Sequence, residues 1–256
     1  MLNILAAILL FGFVILLHDL GHFLLAKANG VEVTEFSIGM GPRLVSRVWR
    51  GTRYSLKILP LGGSCAMADE DTESGNPNGF LSKSVWARIS IIAAGPIFNF
   101  ILAFFFGIII VAYRGYDLPV ITNIVEGYPA EAAGLKAGDL ILSVNGRRML
   151  EYQDLSMYLQ LHPEEELEIV YGRLPEGQAE DPSAWYQKDL SYETGTTTLR
   201  TIYNEETQSY MMGIEHYSNY HPVEGLGKLL RLGWHQVALQ GQAAIESFRL
   251  LFRGYV

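Results

Sequence analysis

A single cysteine, Cys65, stands among 256 residues, so no disulfide can form within the chain. No internal repeat and no low-complexity tract is present, which sets aside repeat arrays. Positive charge is scarce: 19 Lys and Arg oppose 27 Asp and Glu, for a net charge of −8, and no basic patch offers a surface to nucleic acid. The apolar N-terminus has no basic residue ahead of it and no small-residue cleavage site behind it. A signal peptide is thereby excluded, and a retained transmembrane helix is expected.

Long apolar runs are what the sequence does have. Apolar residues make up 49% of the chain, and its mean hydropathy is positive. From Leu2 to Ala26 the polar side chains are Asn3, His18, Asp19 and His22; from Ile89 to Tyr113 they are Ser90, Asn99 and Tyr113. As helices such runs reach about 37 Å, enough to cross a ~30 Å hydrocarbon core. Charge divides unevenly around them. Residues 27–88 hold eight Lys and Arg against six Asp and Glu, whereas residues 117–224 hold six against 19. Basic residues gather on the cytoplasmic side of spans, so the loop 27–84 is expected in the cytoplasm and the acidic region outside. This implies a multi-pass membrane protein, with the lipid bilayer as a partner.

Between the runs, Leu44–Trp49 and Tyr54–Ile58 flank the turn "RGT" and predict a β-hairpin, its faces mixing Val, Leu and Trp with Arg and Lys as suits a membrane surface. The segment "ADEDTESGNPNG" reads as a loop. Residues 120–172 change to short strands and turns, 173–198 read as a loop-rich insertion, and strand-like pieces follow at 199–203 and 210–214. Residues 226–252 are amphipathic and predict a helix on a membrane surface, with Trp234 as an interfacial anchor. The fold class is therefore a membrane α+β protein: helix 1–26, loop with hairpin 27–84, helix 85–114, a folded domain 117–222 and an amphipathic segment 223–256.

His18 and His22, four apart, share one helix face, about 6 Å apart along the axis. One zinc ion can bridge such a pair, as in H-E-x-x-H motifs. The bland alternative is a pair of histidines that only hydrogen-bond. Three ionisable groups within five residues of an apolar helix are costly, however, and usually mark a site. Cys65 has no partner cysteine and reads as an incidental thiol. His162, His216, His221 and His235 are scattered and read as solvent-facing or capping.

The stretches "HDLGHFLLAK", "EFSIGMGP", "LPLGG", "AAGPIFNF" and "GYPAEAAGLKAGDLILSVNG" occur in the order and spacing of RseP-type site-2 proteases, and the chain resembles that family over essentially its whole length. The resemblance implies an intramembrane zinc metalloendopeptidase that cuts transmembrane segments of other proteins, often after a first protease has trimmed them. His18 and His22 would be zinc ligands, and Asp19 would stand where the family has its catalytic Glu. The hairpin would be a membrane-dipping β-loop, with Leu61, Gly62 and Gly63 near an extended substrate added as a strand. Asn99 would lie near the active site, the alternative being an interhelical hydrogen bond. Residues 120–173 resemble a PDZ domain able to take a peptide chain end, with Gly134, Gly138, Asp139, Asn145 and Gly146 in turn roles.

Two departures from the family pattern stand out. Asp19 is one methylene shorter than Glu, which sets its carboxylate back by ~1.5 Å and implies impaired chemistry. The third ligand, an Asp in an "LDG"-like motif on a later helix, has no counterpart; "GDL" at 138–140 falls in the PDZ-like region, and the chain is expected to end before that helix. A non-catalytic membrane adaptor or pseudoprotease is the competing reading. A metal transporter suffers from too few spans.

Overall fold

The computed structural model describes residues 2–70, 75–163, 165–175, 182–187, 190–205 and 209–253. The chain forms two compact units, Met1–Phe105 and Phe106–Val256.

The first unit begins with helix α1, Leu2–Ala28. Its end is chemically marked. Gly30 takes φ +67, its N–H donates to Lys27 O, and the N–H of Val31 donates to Ala26 O at 2.8 Å, which together make a Schellman closure. Helix α2, Val85–Arg114, follows Ser84, whose hydroxyl accepts the Ala87 N–H, as an N-cap residue should. Both helices are long and apolar enough to cross a membrane. Ile4, Phe11 and Phe100 are 60–66% exposed, the reverse of a soluble helix, which would turn such side chains inward.

Between the helices lie strands β1, Val33–Trp49, and β2, Thr52–Met67. The "RGT" turn is where the sequence places it: Arg50 and Gly51 both have positive φ, as a two-residue type I′ hairpin requires. The pairing is more extensive than the expected 44–49/54–58 hairpin. Residues 35–38 pair in parallel register with 53–56 along one edge and antiparallel with 63–66 along the other, so two strands fold into four rows. Glycines make this doubling back feasible. Gly39 and Gly41 have φ near +87, and a Cβ on Gly39 would sit 2.4 Å from the Leu59 carbonyl oxygen. The expected loop at 68–79 lies partly outside the described residues. Ala26, Val31, Val33, Phe80 and Ile91 form the core of this unit.

In the second unit, after the short β3 (Asn123–Ile124) and α3 (Pro129–Ala132), β4 (Leu140–Val144), β5 (Arg147–Arg148), β6 (Glu166–Arg173) and β7 (Glu193–Arg200) form an antiparallel sheet in the order β5-β4-β6-β7. Helix α4, Tyr152–Leu161, covers it, opened by a reciprocal capping box between Glu151 and Asp154. Ile121, Ile141, Val144, Leu155, Leu167 and Ile169 fill the core. Gly134, Gly138, Asn145 and Gly146 all have positive φ, in keeping with turn roles. The loop-rich expectation for 173–198 is corrected over 193–198, which is strand paired to β6 along its whole length. A Thr-rich run is polar in composition but β-branched, and it suits an edge strand with one wet face.

Helix α5, Leu226–Arg253, is amphipathic as expected. Leu232 and Leu239 are buried, while Phe248 and Phe252 are exposed. It meets the C-terminal part of α2 through a glycine pair: a Cβ on Gly107 would lie 2.7 Å from the Gly233 carbonyl oxygen. The reading of the second-unit histidines as solvent-facing or capping holds for His162, which closes α4 as its C-cap, and is corrected for His216 and His235, which bond buried carboxylates. His216 and Asp117 pair at 2.9 Å with 3% and 8% of their side chains exposed. His235 bonds Asp154 at 2.9 Å, and His162 and His221 stack on Tyr158 and Tyr186. Apart from Tyr158, four residues before His162, these partners lie far away in sequence, so no local pattern announces them.

Candidate metal centre

Residues 18 and 22 lie one helical turn apart on α1, and their imidazoles meet edge to face with ring centroids 4.8 Å apart. What faces them is a second row with the same spacing on α2: Ile91, Gly95 and Asn99. His22 donates from Nδ1 to the Ile91 carbonyl oxygen at 2.7 Å. His18 Nδ1 lies 3.2 Å from the Asn99 side-chain amide. A Cβ built on Gly95 would stand 2.5 Å from the Nε2 of both rings. Both Nε2 atoms are therefore aimed at one place, which is open because residue 95 has no side chain.

This is the arrangement two imidazole ligands need. An Nδ1–H held by a carbonyl fixes the tautomer and leaves the Nε2 lone pair for a metal. Close helix contact makes it possible. A Cβ on Gly21 would lie 2.6 Å from the Ala94 carbonyl oxygen, so α1 and α2 touch through glycine, and Pro96, two residues beyond Ala94, removes a ladder hydrogen bond from α2.

Asp19 points to the hairpin side. Its Oδ2 would be 3.2 Å from a Cβ on Gly63, and with His22, Cys65, Glu70 and Ile91 it lines a cavity of about 280 Å³. Of the residues singled out on "LPLGG", Gly63 borders Asp19 and Leu16, and Gly62 packs on Ile15. Leu61 is placed elsewhere, beside Ile4, Ile8 and Phe11. Burial, reinforced by the nearby Asp19 and Glu70 carboxylates, pushes the Cys65 thiol up to about 12. Among the described residues no group of three or more His, Cys, Asp and Glu side chains is arranged to hold a metal. Asp139 of "GDL" is committed to a bidentate pair with Arg173, at 2.7 and 2.6 Å. Gly95 and the Ile91 carbonyl escape a reading of the sequence; the one signal for them is the four-residue spacing 91-95-99, which mirrors 18-22.

Residues 6–251 match Peptidase family M50, and the chain belongs to that family. A provisionally designated zinc metalloprotease of Clostridium acetobutylicum is 42% identical over 168 residues, covering 66% of this chain and 50% of its own length. Another from Clostridium perfringens is 35% identical over 195 residues, covering 74% and 58%. The zinc metalloprotease RasP of Bacillus licheniformis is 29% identical over 254 residues, covering 67% and 61%. The chain thus spans about half to three fifths of the length of these relatives. Family membership and two apolar helices together make it a membrane protein.

Proposed function

We propose that the chain carries the metal-binding half of an intramembrane zinc metalloendopeptidase of the site-2 type, with a transmembrane protein as substrate. The observation that carries this reading is the convergence of His18 Nε2 and His22 Nε2 over Gly95, with both Nδ1 atoms held by α2. The donor set fits zinc: two neutral imidazoles, with further positions left for another ligand and for water. Zinc, when bound, supplies a Lewis acid that activates water and polarises the scissile carbonyl.

The chain's own residues do the rest. His18 and His22 hold the ion, and Asp19 takes the proton of the attacking water. The strand row that carries Gly63 runs beside Asp19 and takes the substrate backbone as an added strand. Residues 120–173, with their short antiparallel sheet and capping helix, serve as a PDZ-like module that takes a peptide chain end and filters substrates by size. The loop 27–84 faces the cytoplasm and the acidic unit the outside, as the charge split favours.

The short Asp19 side chain makes this chemistry slow. In a detergent-solubilised full-length protein that supplies the third ligand, with a transmembrane substrate, Asp19→Glu is expected to raise cleavage by at least ~10-fold, about 1.4 kcal/mol of barrier. Zinc content should stay the same in both, and His22→Ala should lose metal and cleavage together. Equal cleavage by the two forms would refute the short-base argument, and a chain that takes up no zinc would remove the metalloprotease reading. Asp19 and the absence of a third ligand among the described residues favour a second reading, a non-catalytic adaptor; zinc uptake with no cleavage by the Asp19→Glu variant would select it.

A further inference from the structure

Asn99 carries an unusual burden. Its Oδ1 is shut off from solvent without a hydrogen-bond partner, while its Nδ2 stands 3.2 Å from His18 Nδ1. A buried amide oxygen left unpaired costs roughly 1–3 kcal/mol. The His18 ring decides what this pairing means. If the amide N–H donates to Nδ1, the ring's proton must sit on Nε2, the nitrogen that faces Gly95. A half-turn of the amide exchanges oxygen and nitrogen. Oδ1 then accepts from Nδ1–H, the orphan oxygen is satisfied, and Nε2 presents its lone pair.

We infer that Asn99 is the positioning residue of the metal centre: its amide oxygen, turned to His18, sets the Nδ1–H tautomer and so frees Nε2. The inference rests on the metal-centre reading above and gives Asn99 a task different from contacting substrate. The second histidine supplies an internal comparison. His22 Nδ1 faces the Ile91 carbonyl, a group that can only accept, so its tautomer is fixed by backbone. His18 lies four residues earlier on α1, and the facing position four beyond Gly95 on α2 offers a side-chain amide. An amide can present either end, so the His18 half of the site has two settings where the His22 half has one.

The row 91-95-99 then reads as one device. Two of its positions hold Nδ1 atoms, and the central glycine clears the space for both Nε2 atoms. Leucine at 99 would keep the volume and remove the acceptor. Aspartate would keep the acceptor and remove the donor.

The test uses the whole chain, labelled with ¹⁵N-histidine in detergent micelles, with Zn²⁺ titrated against a chelator; the His18 resonances are assigned by comparison with His18→Ala. The unaltered chain should show an Nδ1–H signature at His18. Asn99→Leu should lose that signature and bind zinc ~10–100-fold more weakly, the range typical of partners that orient ligands. Asn99→Asp should retain both. An unaltered chain whose His18 carries its proton on Nε2 when zinc is bound would overturn the inference even if Asn99→Leu fails to fold. Equal zinc affinity and an unchanged tautomer in Asn99→Leu would overturn it too, while leaving the zinc site standing. A chain that binds no zinc but loses the Nδ1–H signature in Asn99→Leu would sustain the role of Asn99 and bring down the metal reading instead.

Discussion

Histidines in the two units are held in opposite ways. In Phe106–Val256, His216 uses both ring nitrogens: Nδ1 bonds the Val120 carbonyl oxygen at 2.9 Å and Nε2 bonds Asp117 at 2.9 Å, with Tyr152 stacked on the ring at 3.7 Å. Nothing of that imidazole is left to offer. In Met1–Phe105, His18 and His22 are each held at Nδ1, and their Nε2 atoms converge on a glycine. The same contrast holds for carboxylates. Asp139 is closed by Arg173 and by the Lys136 N–H, whereas Asp19 lines a cavity. A polar group whose every donor and acceptor is matched stabilises a fold, and one with a single constrained end and a directed remainder is prepared for a ligand.

The sharpest way to break this comparison is to fill the glycine gap. Gly95→Val would place carbon 2.5 Å from both Nε2 atoms and is expected to take zinc from about one per chain to none. His216→Ala should leave zinc content untouched. Metal analysis of the two variants side by side checks both, and loss of zinc in His216→Ala would mean that the two classes of histidine are not distinct.

Stability should show the opposite order. His216→Ala strands the Asp117 carboxylate in a buried position, and removing one partner of such a pair costs about 3–5 kcal/mol. Faster hydrogen exchange at β6 amides, the centre of the second-unit sheet, is the readout. An effect under ~1 kcal/mol would show that the His216 pair is as dispensable as a surface contact.

The smallest effect is expected at the hairpin. Arg43 holds Glu35 bidentately at 2.9 and 2.6 Å, and this pulls the Glu35 carboxyl from 4.5 down to about 2. A lowered carboxyl contributes stability that is fully present above its ordinary value and lost as pH falls through the folded one. Hairpin protection should therefore persist at pH 5, decline as pH falls below 4.5, and lose this contribution altogether near pH 2. Because Arg43 is half exposed, Glu35→Gln should cost no more than about 1 kcal/mol. A loss of protection between pH 6 and 5 would assign hairpin stability to some other group.

Much of the first unit was legible in the order of residues. Two apolar runs of spanning length, a histidine pair at helical spacing and the Arg-Gly turn are local patterns, and each became the element it implied. The doubled pairing of residues 35–38 was not legible, since a strand does not reveal that both of its edges are used. The strand at 193–200 was hidden by polar composition. His216 was misjudged because Asp117 lies 99 residues away.

By itself, the sequence determined that two helices of spanning length exist and that His18, Asp19 and His22 share one of them, because helical periodicity acts over four residues and needs no partner. Only the tertiary structure decided what completes the histidines. Ile91, Gly95 and Asn99 reach them across 69 to 81 residues of chain, and that meeting depends on glycine contacts that let α1 and α2 touch. The free nitrogen of each ring is a property of both helices at once, and neither segment alone contains it.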